Sequence, residues 1–254
     1  GIGIAIYTWF GFPQLRVARS HFHIRWACIK EITSFSALTC VQQSVMNLGI
    51  LMVQGLVNSF GPTVMAAFAA AVKIDSFAYM PVQDFGNAFS IFIAQNYGAR
   101  QDKRIREGLG GAVIAALIFC VVISAGVWLL ARPLMLIFIS AEETAIIAEG
   151  IRYLHIEGAF YCGIGCLFLL YGLYRALGRP GMSVVLTVIS LGTRVALAYL
   201  LSAVPALGVV GIWWSVPIGW FLADLAGLLY YRVRRRALFS WMGAPITRKA
   251  AIDP

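Results

Sequence analysis

Long apolar stretches alternate with short polar connections along this chain of 254 residues. Crossing a bilayer takes about 20 consecutive apolar residues in helical form. On that measure the pattern predicts helices near 33–57, 62–97, 109–131, 143–175, 182–203 and 209–231. No segment alternates apolar and polar positions as a half-buried strand does. The expected class is therefore all-α, a polytopic transmembrane helix bundle of six spans. Two helices exceed one crossing. The stretch 62–97 would extend about 54 Å at 1.5 Å per residue, and Pro81 near its middle is expected to bend it. The stretch 143–175 is expected to begin with an amphipathic turn outside the lipid, where Glu142, Glu143 and Glu149 sit. Gly61-Pro62, Gly178-Arg179-Pro180-Gly181 and Gly208 carry turn chemistry between spans. The apolar run at 1–12 is too short to cross. It reads as the end of a preceding transmembrane helix, which makes the chain an expected piece of a longer protein.

Composition agrees with lipid as the solvent. Hydrophobic residues make up 60% and charged residues 12% of the chain, against about a quarter charged in soluble domains; the mean hydropathy is +0.81. Charge then fixes orientation. Of the 20 Lys and Arg, 16 fall in four stretches around Arg16–Lys30, Arg100–Arg106, Arg175–Arg179 and Arg232–Lys249. The connections between them, near 57–62, 132–143 and 204–208, carry only Arg132. That alternation follows the positive-inside rule for a multi-pass cell (cytoplasmic) membrane protein with both ends cytoplasmic. Residues 13–32 then read as a basic cytoplasmic connection, 33–231 as the six-helix lobe and 232–254 as a basic cytoplasmic tail. The net charge of +9 belongs to these flanks, which favour anionic membrane lipid as the partner and not nucleic acid.

Three spans carry polar stripes. In 33–57, Ser36, Thr39, Gln43, Asn47, Gln54 and Asn58 fall within a sector of roughly 100° on a helix. Amides in hydrocarbon need a partner helix, water or a ligand; a stripe along the whole span favours a cavity lining, with Gln43, Asn47 and Gln54 offering hydrogen bonds. In 62–97, Lys73, Phe77, Asp84 and Ile91 share one face, and Asp75 points nearly the opposite way. Asp84 lies beside Gln83, Asn87 and Ser90 and reads as the functional acid, whereas Lys73 and Asp75 read as members of structural ion pairs. In 143–175, Tyr153, Phe160, Tyr161, Phe168 and Tyr171 line up around Glu157. A carboxyl group withdrawn from water can exchange a proton or hold a cation, and ring faces attract lipophilic cations. Glu157 and Asp84 are the expected cation-coupling residues. His155 points away from Glu157 and reads as a packing residue; Arg194 and Asp224 read as an ion pair between the last two spans.

No phosphate loop, zinc-protease motif or nucleophile elbow is present in the sequence, so an enzyme is not expected. Cys162 and Cys166 share a helix face without a His or carboxylate at ligand spacing, and read as small apolar packing residues.

Several stretches resemble the multidrug and toxic compound extrusion (MATE) transporters. They are Pro81-Val-Gln-Asp-Phe-Gly-Asn-Ala-Phe-Ser with Ala94-Gln-Asn-Tyr-Gly-Ala-Arg100, Leu136-Ile-Phe-Ile with Tyr153-Leu154, Tyr174-Arg-Ala-Leu-Gly178, and Leu207-Gly-Val-Val-Gly-Ile-Trp213. The resemblance implies twelve helices in two six-helix lobes, of which this chain is similar to the C-terminal one. It implies secondary antiport: export of amphipathic, cationic organic compounds in exchange for Na⁺ or H⁺, by rocking the lobes. The N-terminal lobe of the same transporter is then the expected partner. One branch of the family places a carboxylate in the seventh helix, where 33–57 holds only amides, and Glu157 four residues after Tyr153 resembles the acid of the tenth helix. Three rivals follow. A lipid-linked saccharide flippase would need more cleft-facing cations than Lys73 and Arg194. A membrane enzyme would need an acid or His cluster near an interface. A truncated lobe would not transport.

Overall fold

The computed structural model describes residues 2–13 and 26–238, with eight helices and no strand among them. They are α1 (Ile2–Gly11), α2 (Trp26–Asn58), α3 (Pro62–Gly98), α4 (Asp102–Leu136), α5 (Thr144–Gly158), α6 (Tyr161–Ala176), α7 (Pro180–Ser202) and α8 (Val209–Leu238). Two units divide the chain, Gly1–Ala37 and Leu38–Pro254. In the first, α1 is a ten-residue apolar helix with Ile2, Ile4, Tyr7 and Phe10 exposed. The second unit carries the site.

Among the described residues, five helices are long and apolar enough to cross a membrane, and α5 with α6 makes a sixth crossing if the bent pair is one span. This is the expected all-α bundle, with boundaries shifted. The second helix starts at Trp26 instead of 33, inside the stretch read as a connection. The fourth starts at Asp102 and takes in the basic residues Lys103, Arg104 and Arg106. The last continues past 231 to Leu238. The remainder of the expected connection and tail, 14–25 and 239–254, lies outside the described residues.

The largest departure is in 143–175. Instead of one helix, α5 and α6 meet at a 51° bend across Ala159–Phe160. Gly158, Gly163 and Gly165 surround the break, and glycine weakens a helix by roughly 1 kcal/mol relative to alanine. The freed backbone groups close in short turns instead, with Phe160 N–H donating to Glu157 C=O at 3.0 Å and Gly163 N–H to Phe160 C=O at 2.8 Å. By contrast α3 is continuous through Pro81. Pro62 and Pro180 stand in the first turns of α3 and α7, where the missing N–H costs nothing. Ahead of them Gly61 and Gly178 take φ of 94° and 69°, a left-handed backbone that glycine adopts without strain.

The core of the second unit is α6. Leu167 to Tyr174 are all buried, because α3, α4, α7 and α8 pack around it. Small residues permit the closest crossing. A Cβ on Gly172 would stand 2.6 Å from Gly86 C=O of α3, so backbone touches backbone there. A Cβ on Gly219 of α8 would stand 2.5 Å from Ser190 C=O of α7. On α4 the outward positions Ile114, Ile118, Val122 and Leu129 are exposed apolar side chains, as lipid contact requires.

Candidate functional site

Within the second unit, α2, α3, α5, α6, α7 and α8 line an open cavity of about 280 Å³. Helical periodicity selects the lining. Gln43, Met46, Ile50 and Gln54 form one stripe of α2, and Phe68, Val72, Asp75, Tyr79 and Gln83 one stripe of α3. Tyr153 and Glu157 are one turn apart on α5. Ile164, Phe168 and Tyr171 come from α6, Ser190 and Arg194 from α7, and Trp220 from α8.

Two carboxylates and one guanidinium meet here. Asp75 is 6% exposed, and its Oδ1 accepts a hydrogen bond from Tyr161 Oη at 2.6 Å. Glu157 is 1% exposed, and its Oε1 has no hydrogen-bond partner. Asp75, Glu157 and Arg194 all line this one cavity. A buried carboxylate with an unsatisfied oxygen is costly, and a proton or a metal cation at that oxygen would satisfy it. Among the described residues no cluster of three or more His, Cys, Asp and Glu gathers as a metal-binding group.

An aromatic group borders the acids. Phe68 stacks on Trp213 at 5.4 Å between centroids, and Tyr153 meets both rings edge-on at 5.6 and 5.0 Å. Trp213 Nε1 donates to Glu149 Oε1 at 2.9 Å, and Glu149 also pairs with Arg152 at 3.2 Å. Edge-to-face packing is worth about 0.5–1.5 kcal/mol per pair beyond burial, so this wall is held by both ring contacts and a charged anchor.

Of the residues expected to bind substrate, Gln43, Gln54, Tyr153 and Tyr171 line the cavity, and so does Glu157. Tyr161 is buried behind it and acts on Asp75. The others lie elsewhere. Asn47 is exposed on α2, beside the stripe and not on it. Phe160 is exposed at the bend, edge-on to Trp214 at 5.7 Å. Asn87 is exposed and accepts from Arg175 Nη2 at 2.8 Å. Asp84 is exposed and outside the cavity, although its neighbour Gln83 lines it.

The cavity residues that periodicity missed are Asp75 and Arg194. The structure gives Asp75 a phenol for a partner, not the cation expected, and Lys73 stands 5.8 Å from the Phe138 ring. No ion pair joins Arg194 to Asp224 among the described residues; Arg194 Nε and Asp224 Oδ1 are each buried without a partner. The available signal for Asp75 was the series Asp75, Tyr79, Gln83 at four-residue spacing, which continues Phe68 and Val72 on one face. His155 contacts Trp128, with rings 4.8 Å apart and Nε2 3.0 Å from the Trp128 carbonyl oxygen.

Residues 38–200 match the model of the MatE family. The chain belongs to the MatE family. Among MatE relatives it is 32% identical over 196 residues to the "Probable multidrug resistance protein YpnP" of Bacillus subtilis, a match covering 77% of this chain and 43% of that protein. To the "Probable multidrug resistance protein NorM" of Thermotoga maritima it is 23% identical over 214 residues, covering 84% and 46%. In fold it is similar to a MOP superfamily transporter from Pyrococcus furiosus, with a TM-score of 0.84 at 20% identity over 92% of this chain and 53% of that one. The chain thus spans about half the length of the relatives it matches. Family and apolar helices together make it a multi-pass membrane protein of the cell membrane.

Proposed function

We propose that this chain is the C-terminal six-helix lobe of a secondary antiporter that exports amphipathic, cationic organic compounds in exchange for Na⁺ or H⁺. The observation that carries the reading is the unsatisfied Glu157 oxygen, buried in a membrane-spanning bundle beside Asp75. Acids withdrawn into a membrane protein are costly and serve ion pathways. The names of the relatives, probable multidrug resistance proteins, support drug export.

In this reading Glu157 and Asp75 together hold the coupling cation, and Tyr161 fixes the Asp75 carboxylate by its hydrogen bond. Binding the cation neutralises the pair, which lowers the cost of closing the cavity away from water. Phe68, Tyr153 and Phe168 present ring faces to a substrate, which cation–π attraction favours, and Gln43 and Gln54 supply amides. The cavity volume, about 280 Å³, falls at the small end for a drug-sized ligand. It holds one side of the substrate, and the N-terminal lobe of the same transporter supplies the other.

The test is ethidium export from cells expressing the complete protein, wild type and Glu157→Gln, with an imposed Na⁺ or proton gradient. Export that follows the gradient in the wild type and loses that dependence in the variant supports the reading. Unchanged gradient dependence in Glu157→Gln sinks the role of Glu157.

A further inference from the structure

Arg194 is a cation inside an apolar span with no adjacent counter-charge. It lies on α7, lines the cavity with Asp75 and Glu157, and keeps a buried Nε without a hydrogen-bond partner. No ion pair within 4.0 Å includes it among the described residues. Asp224 on the neighbouring α8 leaves its own Oδ1 unpartnered. An unpaired guanidinium in hydrocarbon is costly, and charge acting over a longer reach offsets it. The carboxylates it can reach across the shared cavity are Asp75 and Glu157. The other polar groups lining the cavity or reaching these acids are the phenols of Tyr79, Tyr153, Tyr161 and Tyr171, the amides of Gln43, Gln54 and Gln83, the hydroxyl of Ser190 and the indole of Trp220, all uncharged side chains.

With both carboxylates ionised, the two acids and one guanidinium would leave the cavity with a single negative charge. Without Arg194 it would hold two. We propose that Arg194 is a built-in counter-ion that sets the demand of this cavity at one monovalent cation instead of two. The inference rests on the reading that Asp75 and Glu157 carry the coupling. Arg194 is in this sense a positioning charge for the cation and not a substrate ligand. It also makes the pair tolerable in lipid: with one Na⁺ or proton bound, the cavity is neutral and can close.

The experiment measures ethidium export by the complete transporter in sealed vesicles, as Na⁺ and pH are varied separately, and reads the steepness of cation activation. The wild type is expected to show a slope of about one. Arg194→Gln should steepen it toward about two and shift activation to higher cation concentration, while Arg194→Lys keeps the wild-type slope. Asp75→Asn combined with Arg194→Gln should return the slope to about one, because one negative charge remains. If Arg194→Gln alone fails to fold, Asp75→Asn compared with the double variant decides the matter: Asp75→Asn alone should lose cation activation and the double variant regain it, and equal behaviour of the two overturns the proposal. A slope unchanged by Arg194→Gln, or unrestored in the double variant, overturns the proposal. So does selective loss of export for substrates bearing an anionic group with ethidium export intact, which would make Arg194 a substrate subsite. Cation dependence that survives Glu157→Gln would instead overturn the antiport reading beneath it.

Discussion

The two acids of α3 are chemically alike and structurally opposite. Asp75 and Asp84 are nine positions apart, which on a helix turning about 100° per residue places them on opposite faces. Asp75 shares its face with Phe68, Ala71, Ala78 and Val82, all buried, and ends in the cavity. Asp84 shares its face with Lys73, Phe77 and Ile91, all exposed. The polar neighbours Gln83 and Asn87 made Asp84 the more persuasive site in sequence, yet Gln83 belongs to the cavity face and Asn87 to the exposed one. The lesson is that small residues, not polar ones, mark the inner face of a membrane helix. Ala67, Ala70, Ala71, Ala78 and Gly86 are all on the buried side of α3, and Gly86 meets Gly172 of α6 where the two backbones cross.

That contrast can be broken at its hinge point. Gly172→Leu drives a side chain into the Gly86 carbonyl and should remove the crossing that turns Asp75 inward. Overpacking against backbone predicts a loss of about 3 kcal/mol or more, read as loss of monodisperse protein on size-exclusion chromatography in detergent. A normal elution profile and melting temperature would show that the crossing is not what orients α3. Tyr161→Phe tests the inner face more gently. It strands Asp75 Oδ1, which should cost about 1–3 kcal/mol and lower the melting temperature, with the cation concentration for half-maximal export shifted as well. Trp213→Phe keeps the ring against Phe68 and removes only the donor to Glu149, at a cost of about 1 kcal/mol in the same melting assay. On the outer face, Asp84→Asn and Lys73→Gln should each stay within about 0.5 kcal/mol of wild type. A large loss from either would mean that the exposed face is buried against something essential.

The sequence made the architecture legible because lipid imposes it. Length, turn residues and the alternation of basic connections were enough to expect six spans. What escaped was local. The 51° bend between α5 and α6 interrupts a stretch that passes as one span by length and composition, so hydropathy could not register it. The site was legible where several polar residues share a stripe, as with Gln43 and Gln54 on α2 or Tyr153 and Glu157 on α5. It was not legible for Asp75 and Arg194. Arg194 is a lone charge in an apolar helix, and Asp75 stands two residues from Lys73 without a flanking amide, so periodicity alone did not say which face turns inward. Only the packing of α3 and α7 against other helices brings them to one cavity.

The central claim is that the acid of the inner face, Asp75, works with Glu157 as one cation site, while Asp84 has no part in it. Gradient-driven ethidium export by the complete protein, compared between Asp75→Asn and Asp84→Asn at equal membrane expression, tests it most directly. Asp75→Asn should lose the dependence on Na⁺ or protons, with gradient-driven export down about tenfold or more, equivalent to roughly 1.4 kcal/mol, and Asp84→Asn should retain it. Export that stays cation-dependent in Asp75→Asn and fails in Asp84→Asn would contradict the account and move the coupling site to the outer face of α3.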